Sequence, residues 1–140
     1  MGLGRRVQAG DAMAELIEVN VANLSGEALG WAVGKAEGLD VLLAPPVYGN
    51  PWRVFVRYAG EVTTRDVRYV PQDSWADGGP LIDKYQITIT YHNAPDRTPL
   101  ATTSGMHPAF QAGETILVAA CRAIVAAKLG DTVQVPKELI

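Results

Sequence analysis

Two acidic side chains flank a tryptophan beside a pair of glycines in the middle of the chain. Asp73, Trp75 and Asp77 alternate along a short segment, and Gly78 and Gly79 follow directly. Such a segment is typical of a turn, in which glycines leave backbone N–H groups accessible. An aromatic ring beside carboxylates could bind a cationic or aromatic ligand, or a partner protein. The structural alternative is that Trp75 closes a sheet edge and Asp77 forms an Asx-turn.

Arg122 is the second candidate, because it is a charged residue within a long apolar segment. A guanidinium on a largely buried helix needs a carboxylate partner, and the candidates are Asp73, Asp77 and Asp83. A structural ion pair is the simpler interpretation. The alternative is a small enzyme, in which Arg122 and the carboxylates near Trp75 line one pocket.

Residues typical of metal and catalytic sites are sparse. The chain has two histidines, His92 and His107, and a single cysteine, Cys121. A zinc site needs three or four ligands, and no Cys/His cluster is visible. No serine lies in a nucleophile-elbow motif, and no phosphate loop or dinucleotide fingerprint occurs. We therefore expect no metal, no cofactor and no catalytic residue, and the sequence favours a protein that is not an enzyme.

Arginines alternate with an aromatic residue in a segment that reads as a strand. Arg53, Phe55 and Arg57 share the outer face of this strand. Arginines and aromatic rings on a sheet could stack single-stranded nucleic acid, which is a weaker alternative function. Arginines on an exposed strand more often only solvate it. The net charge of −3 also argues against a dedicated nucleic-acid binder.

Composition indicates an ordinary globular protein. The chain has 140 residues, of which 48% are hydrophobic, so it can bury a core without disulfides or a metal. Cys121 lies within the longest apolar segment, where it reads as a small buried side chain. No secretory signal and no apolar segment long enough for a bilayer are visible, so we expect a cytoplasmic protein without a membrane partner.

The segment 116–129 organises the predicted fold. Its residues are apolar except for Arg122 and Lys128, and several are alanines. This length exceeds that of an ordinary strand, alanine favours helix, and Gly130 is a suitable stop. Apolar residues cover nearly the whole circumference, which predicts a buried helix. Thr115 and Arg122 share its narrow polar stripe.

Shorter elements precede and follow this helix. Ser25 reads as the N-cap of a helix that ends at Gly38, whose glycines at four-residue spacing indicate close packing. The alternating segments predict strands at 17–24, 41–43, 52–58, 67–70, 81–92 and 133–135. Irregular loops are predicted at 72–80 and 93–113. The second loop is long for a small domain, so it is either a functional lid or partly structured.

This order of elements predicts an α+β fold. We expect a small, mainly antiparallel sheet of three to five strands, packed by the buried C-terminal helix and a second, shorter helix. Residues 1–15 read as a loose N-terminal tail, and residues 16–140 as a single α+β domain. Translation could start at Met1 or at Met13, since clear patterning begins only after Met13.

Three spaced segments resemble the NinX-like proteins of phages, a family of uncharacterised function. They are 24–38 (LSGEALGWAVGKAEG), 74–82 (SWADGGPLI) and 119–136 (AACRAIVAAKLGDTVQVP), in the family's order. The chain departs from the family at Gly30 and Gly34, where a polar residue and alanine are expected. The resemblance implies a phage or prophage origin and the cytoplasm of a bacterial host, and it implies no enzymatic activity.

These observations favour an accessory binding module of a phage. It would act through the Trp75 loop and the 93–113 loop, because two irregular loops stand beside an ordinary core without a catalytic constellation. A host or phage protein is a possible partner, and nucleic acid is an unfavoured one.

Overall fold

The computed structural model describes residues 15–91 and 97–140, together with the backbone of Val7–Gln8. The helices of this part are α1 (Gly26–Ala36), α2 (Trp75–Lys84) and α3 (Ile116–Leu129). The strands are β1 (Val7–Gln8), β2 (Leu16–Asn20), β3 (Val41–Ala44), β4 (Arg53–Ala59), β5 (Thr64–Arg68), β6 (Thr88–Tyr91), β7 (Pro99–Thr102), β8 (Phe110–Ala112) and β9 (Thr132–Pro136).

The described strands form three separate antiparallel sheets. Their orders are β1-β3-β4-β5, β2-β9 and β6-β7-β8. Val41 pairs with Val56 in the first sheet, and Val19 pairs with Val133 in the second. The predicted α+β class is confirmed, with three small sheets in place of one.

Helix α3 has the predicted bounds. Thr115 is its N-cap and accepts a hydrogen bond from the Val118 N–H at 3.1 Å, and Gly130 ends the helix with a φ of 102°. Cys121 and Ile124 are 1% and 0% exposed, as the all-round apolar pattern predicts. Burial raises the pKa of the Cys121 thiol to about 12, so this side chain is a core residue and not a nucleophile. The helix packs against α1, α2 and the sheet that contains β7 and β8.

We expected another backbone to approach the glycines of α1 closely, but the structure places side chains there. A Cβ at Gly30 would lie 2.7 Å from the Gln72 Oε1 atom, and a Cβ at Gly34 would lie 2.7 Å from Val41 Cγ2. The neighbours are therefore side chains, and each glycine makes room for one of them. The absence of a side chain at Gly30 leaves the space beside α1 that Gln72 occupies.

The predicted loop at 72–80 and the first half of the predicted strand at 81–92 are wrong. Residues Trp75–Lys84 form α2, although this segment contains two glycines and Pro80. Tertiary contacts override the turn signal, because Gly78 is buried and packs on the Pro71 carbonyl and Leu117. The chain reverses at Gln86, which has a φ of 49°, and only then enters β6.

The second predicted loop is partly structured. Within its described residues, 97–113, the strands β7 and β8 form a hairpin. Thr103 closes the connection, since its backbone and hydroxyl bond Ala109 at 3.0 and 2.8 Å. Met106 is 92% exposed at the tip.

Two sequence predictions lie mostly or wholly outside the described residues. The N-terminal tail at 1–15 is represented by Val7–Gln8, which pairs with β3, and by Glu15. His92 lies in the segment 92–96, of which nothing is described. No helix in the described ranges is long and apolar enough to cross a bilayer.

Candidate functional site

A cleft lies where the three helices begin, and it has two halves. The arginine half has a volume of about 370 Å³ and the aromatic half about 460 Å³. Gln72, Asp73, Glu114 and Thr115 line both halves. The arginine half is completed by Ser25, Gly26, Glu27, Arg68, Val70, Val118 and Arg122. The aromatic half is completed by Trp75, Tyr91, Arg97, Pro99, Ile116 and Leu117.

Backbone N–H groups of α1 face the arginine half. Ser25 is the N-cap of this helix, but its side chain makes no capping hydrogen bond. Gly26 opens the helix with a φ of 56°, a conformation that glycine adopts without strain. The first turn therefore lies at the cleft without a capping side chain on its N–H groups, and it brings the positive end of the helix dipole there.

Arg122 supplies a cation to the same half. Its Nε donates to the Leu24 carbonyl at 2.8 Å, and its Nη1 donates to the Ala112 carbonyl at 2.9 Å. Burial lowers the pKa of Arg122, and the charge of Glu114 opposes this effect. Arginine remains protonated in proteins, so the guanidinium is held as a cation by two neutral carbonyls.

The predicted ion pair of Arg122 is therefore not formed. Among residues 15–91 and 97–140, no carboxylate lies within ion-pair distance of its guanidinium. Asp73 lines the cleft with Arg122, while Asp77 and Asp83 do not. Backbone carbonyls accept the hydrogen bonds of Arg122 instead. They are within reach because α3 begins beside the end of β8 and beside the segment that precedes α1.

The other arginine of this half is neutralised. Arg68 Nη2 lies 2.5 Å from Glu27 Oε2, and Arg68 Nη1 donates to the Val54 carbonyl at 3.0 Å. Glu27 Oε1 also accepts from the Val54 N–H at 2.9 Å. This pair joins α1 to the edge of the first sheet, whereas Arg122 is a cation of the arginine half without an ion-pair partner among the described residues.

Gln72 is the most deeply buried polar side chain of the cleft wall. It is 7% exposed, and its Oε1 has no hydrogen-bond partner among the described residues. Buried amide oxygens are normally paired, but this one lies against Gly30 of α1 and not in the cleft.

The structure brings three of the six predicted binding residues to the cleft. Asp73, Trp75 and Arg122 line it, and Trp75 is 58% exposed on the first turn of α2. Asp77 instead accepts a hydrogen bond from the Val70 N–H at 3.0 Å, seven residues back. It therefore holds the chain that enters α2 in place.

The two predicted glycines support α2 and line neither half of the cleft. Gly78 packs against the Pro71 carbonyl, and a Cβ at Gly79 would lie 3.6 Å from the Trp75 ring. Both residues therefore serve the helix that carries Trp75.

Sequence reasoning missed several residues of the cleft wall. They are Gln72, Tyr91, Arg97, Glu114 and Thr115. Thr115 had a signal, because it precedes Arg122 by two helical turns on the same polar stripe. Gln72 had no such signal in the sequence, since its position depends on Gly30 of α1.

The arginine face of β4 is occupied by contacts within the protein. Arg57 Nε lies 2.8 Å from Asp66 Oδ1, which raises the pKa of Arg57. The guanidinium carbons of Arg53 and Arg68 lie 5.7 and 5.9 Å from the centroid of the Phe55 ring. Nucleic acid would have to displace these contacts before it could stack on Phe55.

A second concavity lies between α1, the C-terminal end of α3 and the sheet of β2 and β9, and it is mostly apolar. Its volume is about 410 Å³, and Leu16, Trp31, Lys35 and Leu129 are among its lining residues. No group of three or more potential metal ligands is found among the described residues. The cleft where the three helices begin, hereafter the helix-end cleft, holds a greater variety of charged and aromatic groups than this concavity does.

A protein-family model described as "Bacteriophage P22, NinX" matches residues 20–128. This range includes α1, α2 and nearly all of α3, and thus the residues that line the cleft. No curated protein matches the chain.

Proposed function

The chain belongs to the bacteriophage P22 NinX family, and on that premise we propose that it is a binding module of a phage. Its ligand would occupy the helix-end cleft. The observation that supports this most is Arg122, a guanidinium that faces the cleft without a carboxylate partner among the described residues. Two carbonyls satisfy its hydrogen bonds but carry no net charge, so an anionic group of a ligand is the natural partner of this half-buried cation.

Trp75 gives the cleft an aromatic wall beside this cation. It is 58% exposed, and Tyr91 at the end of β6, which lines the same half, is 55% exposed. Large exposed aromatic side chains are enriched where proteins bind ligands and partners. The first turn of α2 thus takes the role that we expected of a Trp75 loop.

The hairpin of β7 and β8 contributes to the same cleft. Arg97 and Pro99 line the aromatic half, and the Ala112 carbonyl holds Arg122. Met106 and Phe110 are 92% and 60% exposed on this hairpin, which extends the accessible apolar surface. We propose that the described residues of the 93–113 segment act as one wall of the site.

The rival hypothesis is a small enzyme that uses Arg122 with the carboxylates near Trp75. Asp73 lies where this hypothesis needs a carboxylate, because it lines the cleft together with Arg122. Asp77 does not, because its carboxylate accepts the Val70 N–H. Among the described residues of the cleft, no nucleophilic side chain is hydrogen-bonded to a general base, as nucleophilic catalysis would need. Binding therefore accounts for the arrangement with fewer assumptions.

Native purification from phage-infected bacteria tests the proposal. Tagged wild-type protein, Trp75→Ala and Tyr48→Ala are isolated, and both co-purifying proteins and released small molecules are identified by mass spectrometry. Tyr48 is the matched control, because it is 86% exposed and lines neither half of the cleft.

We expect one species, protein or small molecule, that wild type and Tyr48→Ala retain and Trp75→Ala loses. The same species on all three proteins, or none on wild type, would refute a binding role for the cleft. We place this interaction in the cytoplasm of the infected host.

A further inference from the structure

Charged groups of opposite sign line the cleft in a definite order. Arg122 and the first turn of α1 lie in the arginine half, Asp73 and Glu114 border both halves, and Trp75 lies in the aromatic half. We infer that the ligand of the cleft is a small zwitterion with the order of groups of an aromatic α-amino acid. This inference rests on the proposed function and specifies the ligand of that site.

The arginine half fits a carboxylate. Arg122 offers a cation whose two described hydrogen bonds end on neutral carbonyls, and α1 offers N–H groups without a side-chain cap. Helix N-termini and guanidinium groups both favour a carboxylate, and here they face one cavity. Glu27 does not oppose this, because Arg68 neutralises it at 2.5 Å.

The shared middle of the cleft fits an ammonium group. Asp73 and Glu114 are exposed, and neither carboxylate makes a side-chain hydrogen bond or an ion pair among the described residues. An anion alone would be repelled by these two carboxylates, which is why a zwitterion fits better than a simple anion. In an α-amino acid a single carbon joins the ammonium group to the carboxylate, and Asp73 and Glu114 line the arginine half together with Arg122.

The aromatic half fits the ring of such a ligand. Trp75 and Tyr91 are both more than half exposed there, and Pro99 and Leu117 form a buried apolar floor. Aromatic rings prefer edge-to-face or offset contacts with one another, and these add to the gain from apolar burial.

Calorimetric titration of the wild-type protein with L-phenylalanine tests the inference without any substitution. The matched probes are 3-phenylpropionate, which lacks the ammonium group, and 2-phenylethylamine, which lacks the carboxylate. We expect L-phenylalanine to bind, and each truncated probe to bind at least about tenfold more weakly, because each leaves one charge of the cleft unpaired.

Substitutions then assign the subsites. Arg122→Gln should weaken L-phenylalanine at least about tenfold while 2-phenylethylamine binds no more weakly than before, and Asp73→Asn should weaken L-phenylalanine while 3-phenylpropionate binds no more weakly than before. Arg65→Gln and Asp83→Asn are the controls, because both side chains are exposed and line neither half of the cleft. If Arg122→Gln fails to fold, the probe series on the wild-type protein still decides.

The inference is overturned if L-phenylalanine, L-tyrosine and L-tryptophan all fail to bind, or if either truncated probe binds as tightly as L-phenylalanine. A Trp75-dependent protein partner found in infected cells, together with no amino acid binding, would leave the binding role intact and remove the zwitterion. Loss of both results would remove the proposed function as well.

Discussion

Single residues show how the sequence identified important positions without their roles. The sequence grouped Asp77, Gly78 and Gly79 with Trp75 as an exposed turn. In the structure Asp77 fixes the Val70 N–H, and Gly78 is buried against the Pro71 carbonyl. Both act on the chain that supports α2. Local spacing cannot reveal such roles, because they depend on contacts with other elements.

Gly78→Ala should be destabilising. A Cβ at this position would lie 2.3 Å from the Pro71 carbonyl oxygen and 2.7 Å from Leu117 Cδ2. The first neighbour is backbone, so relief requires a shift of the chain, and we expect a loss of about 1–3 kcal/mol in the free energy of unfolding. Urea unfolding followed by circular dichroism measures it.

Gly79→Ala is the matched control on the same helix. Its Cβ would make an ordinary contact of 3.6 Å with the Trp75 ring. Alanine has the higher helix propensity, so this variant should be as stable as wild type or more stable, by up to about 1 kcal/mol. Equal losses in both variants would mean that Gly78 has no special packing role.

At the scale of elements, α3 could be predicted and α2 could not. Fourteen residues of continuous apolar pattern between Thr115 and Gly130 specify a helix by local signals. Helix α2 has Gly78, Gly79 and Pro80, which locally favour a turn. It forms because Leu81 and Gly78 are buried against the core. Ile87 and Ile89 belong to the second half of the predicted strand at 81–92, and both pack against a cluster of buried alanines from α3 and β7.

Helices α1 and α2 are joined at their C-terminal ends by a polar contact. Glu37, whose side chain is 8% exposed, accepts hydrogen bonds from the Tyr85 hydroxyl and from Lys84 Nζ, the latter at 2.9 Å. Burial and the hydrogen bond to Glu37 raise the pKa of Tyr85 from 10.0 to about 12. The folded state therefore holds the Tyr85 proton more tightly than the unfolded state does.

This shift predicts a loss of stability in alkali. Below a pH of about 10 the phenol is protonated in both states, and its contribution is fully present. As the pH rises from about 10 to 12, the unfolded state loses the proton first, so the free energy of unfolding falls.

The Tyr85→Phe variant has no phenolic proton to lose at this site. It should therefore lose less stability than wild type over the same pH interval, as measured by urea titrations. Parallel decreases in the two proteins would show that Tyr85 is not linked to folding.

At the scale of the molecule, the class was predictable and the sheet arrangement was not. Alternating strands beside amphipathic and apolar helices predict α+β, and that is observed. The pairing of β2 with β9 joins residues 16–20 to 132–136. Such pairing depends on contacts between distant parts of the chain. The cleft has the same origin, because it exists only where α1, α2 and α3 begin side by side.

We propose that residues 16–140 form one domain. Helix α1 packs on β3, β4 and β9, and α3 packs on β7, β8 and α1, so the two helices link all three sheets. Such a core should unfold as one cooperative unit. Tryptophan fluorescence and far-UV circular dichroism should give coincident urea transitions, and two separated transitions would contradict a single domain.

The most direct test of the binding cleft uses the indole N–H signals of the three tryptophans in an NMR spectrum. Trp75 lines the helix-end cleft, while Trp31 lines the apolar concavity between α1 and the sheet of β2 and β9. On addition of the species that co-purifies from infected cells, the Trp75 indole signal should shift and the Trp31 signal should not. A shift of Trp31 with an unmoved Trp75 would place the binding site elsewhere and contradict the account.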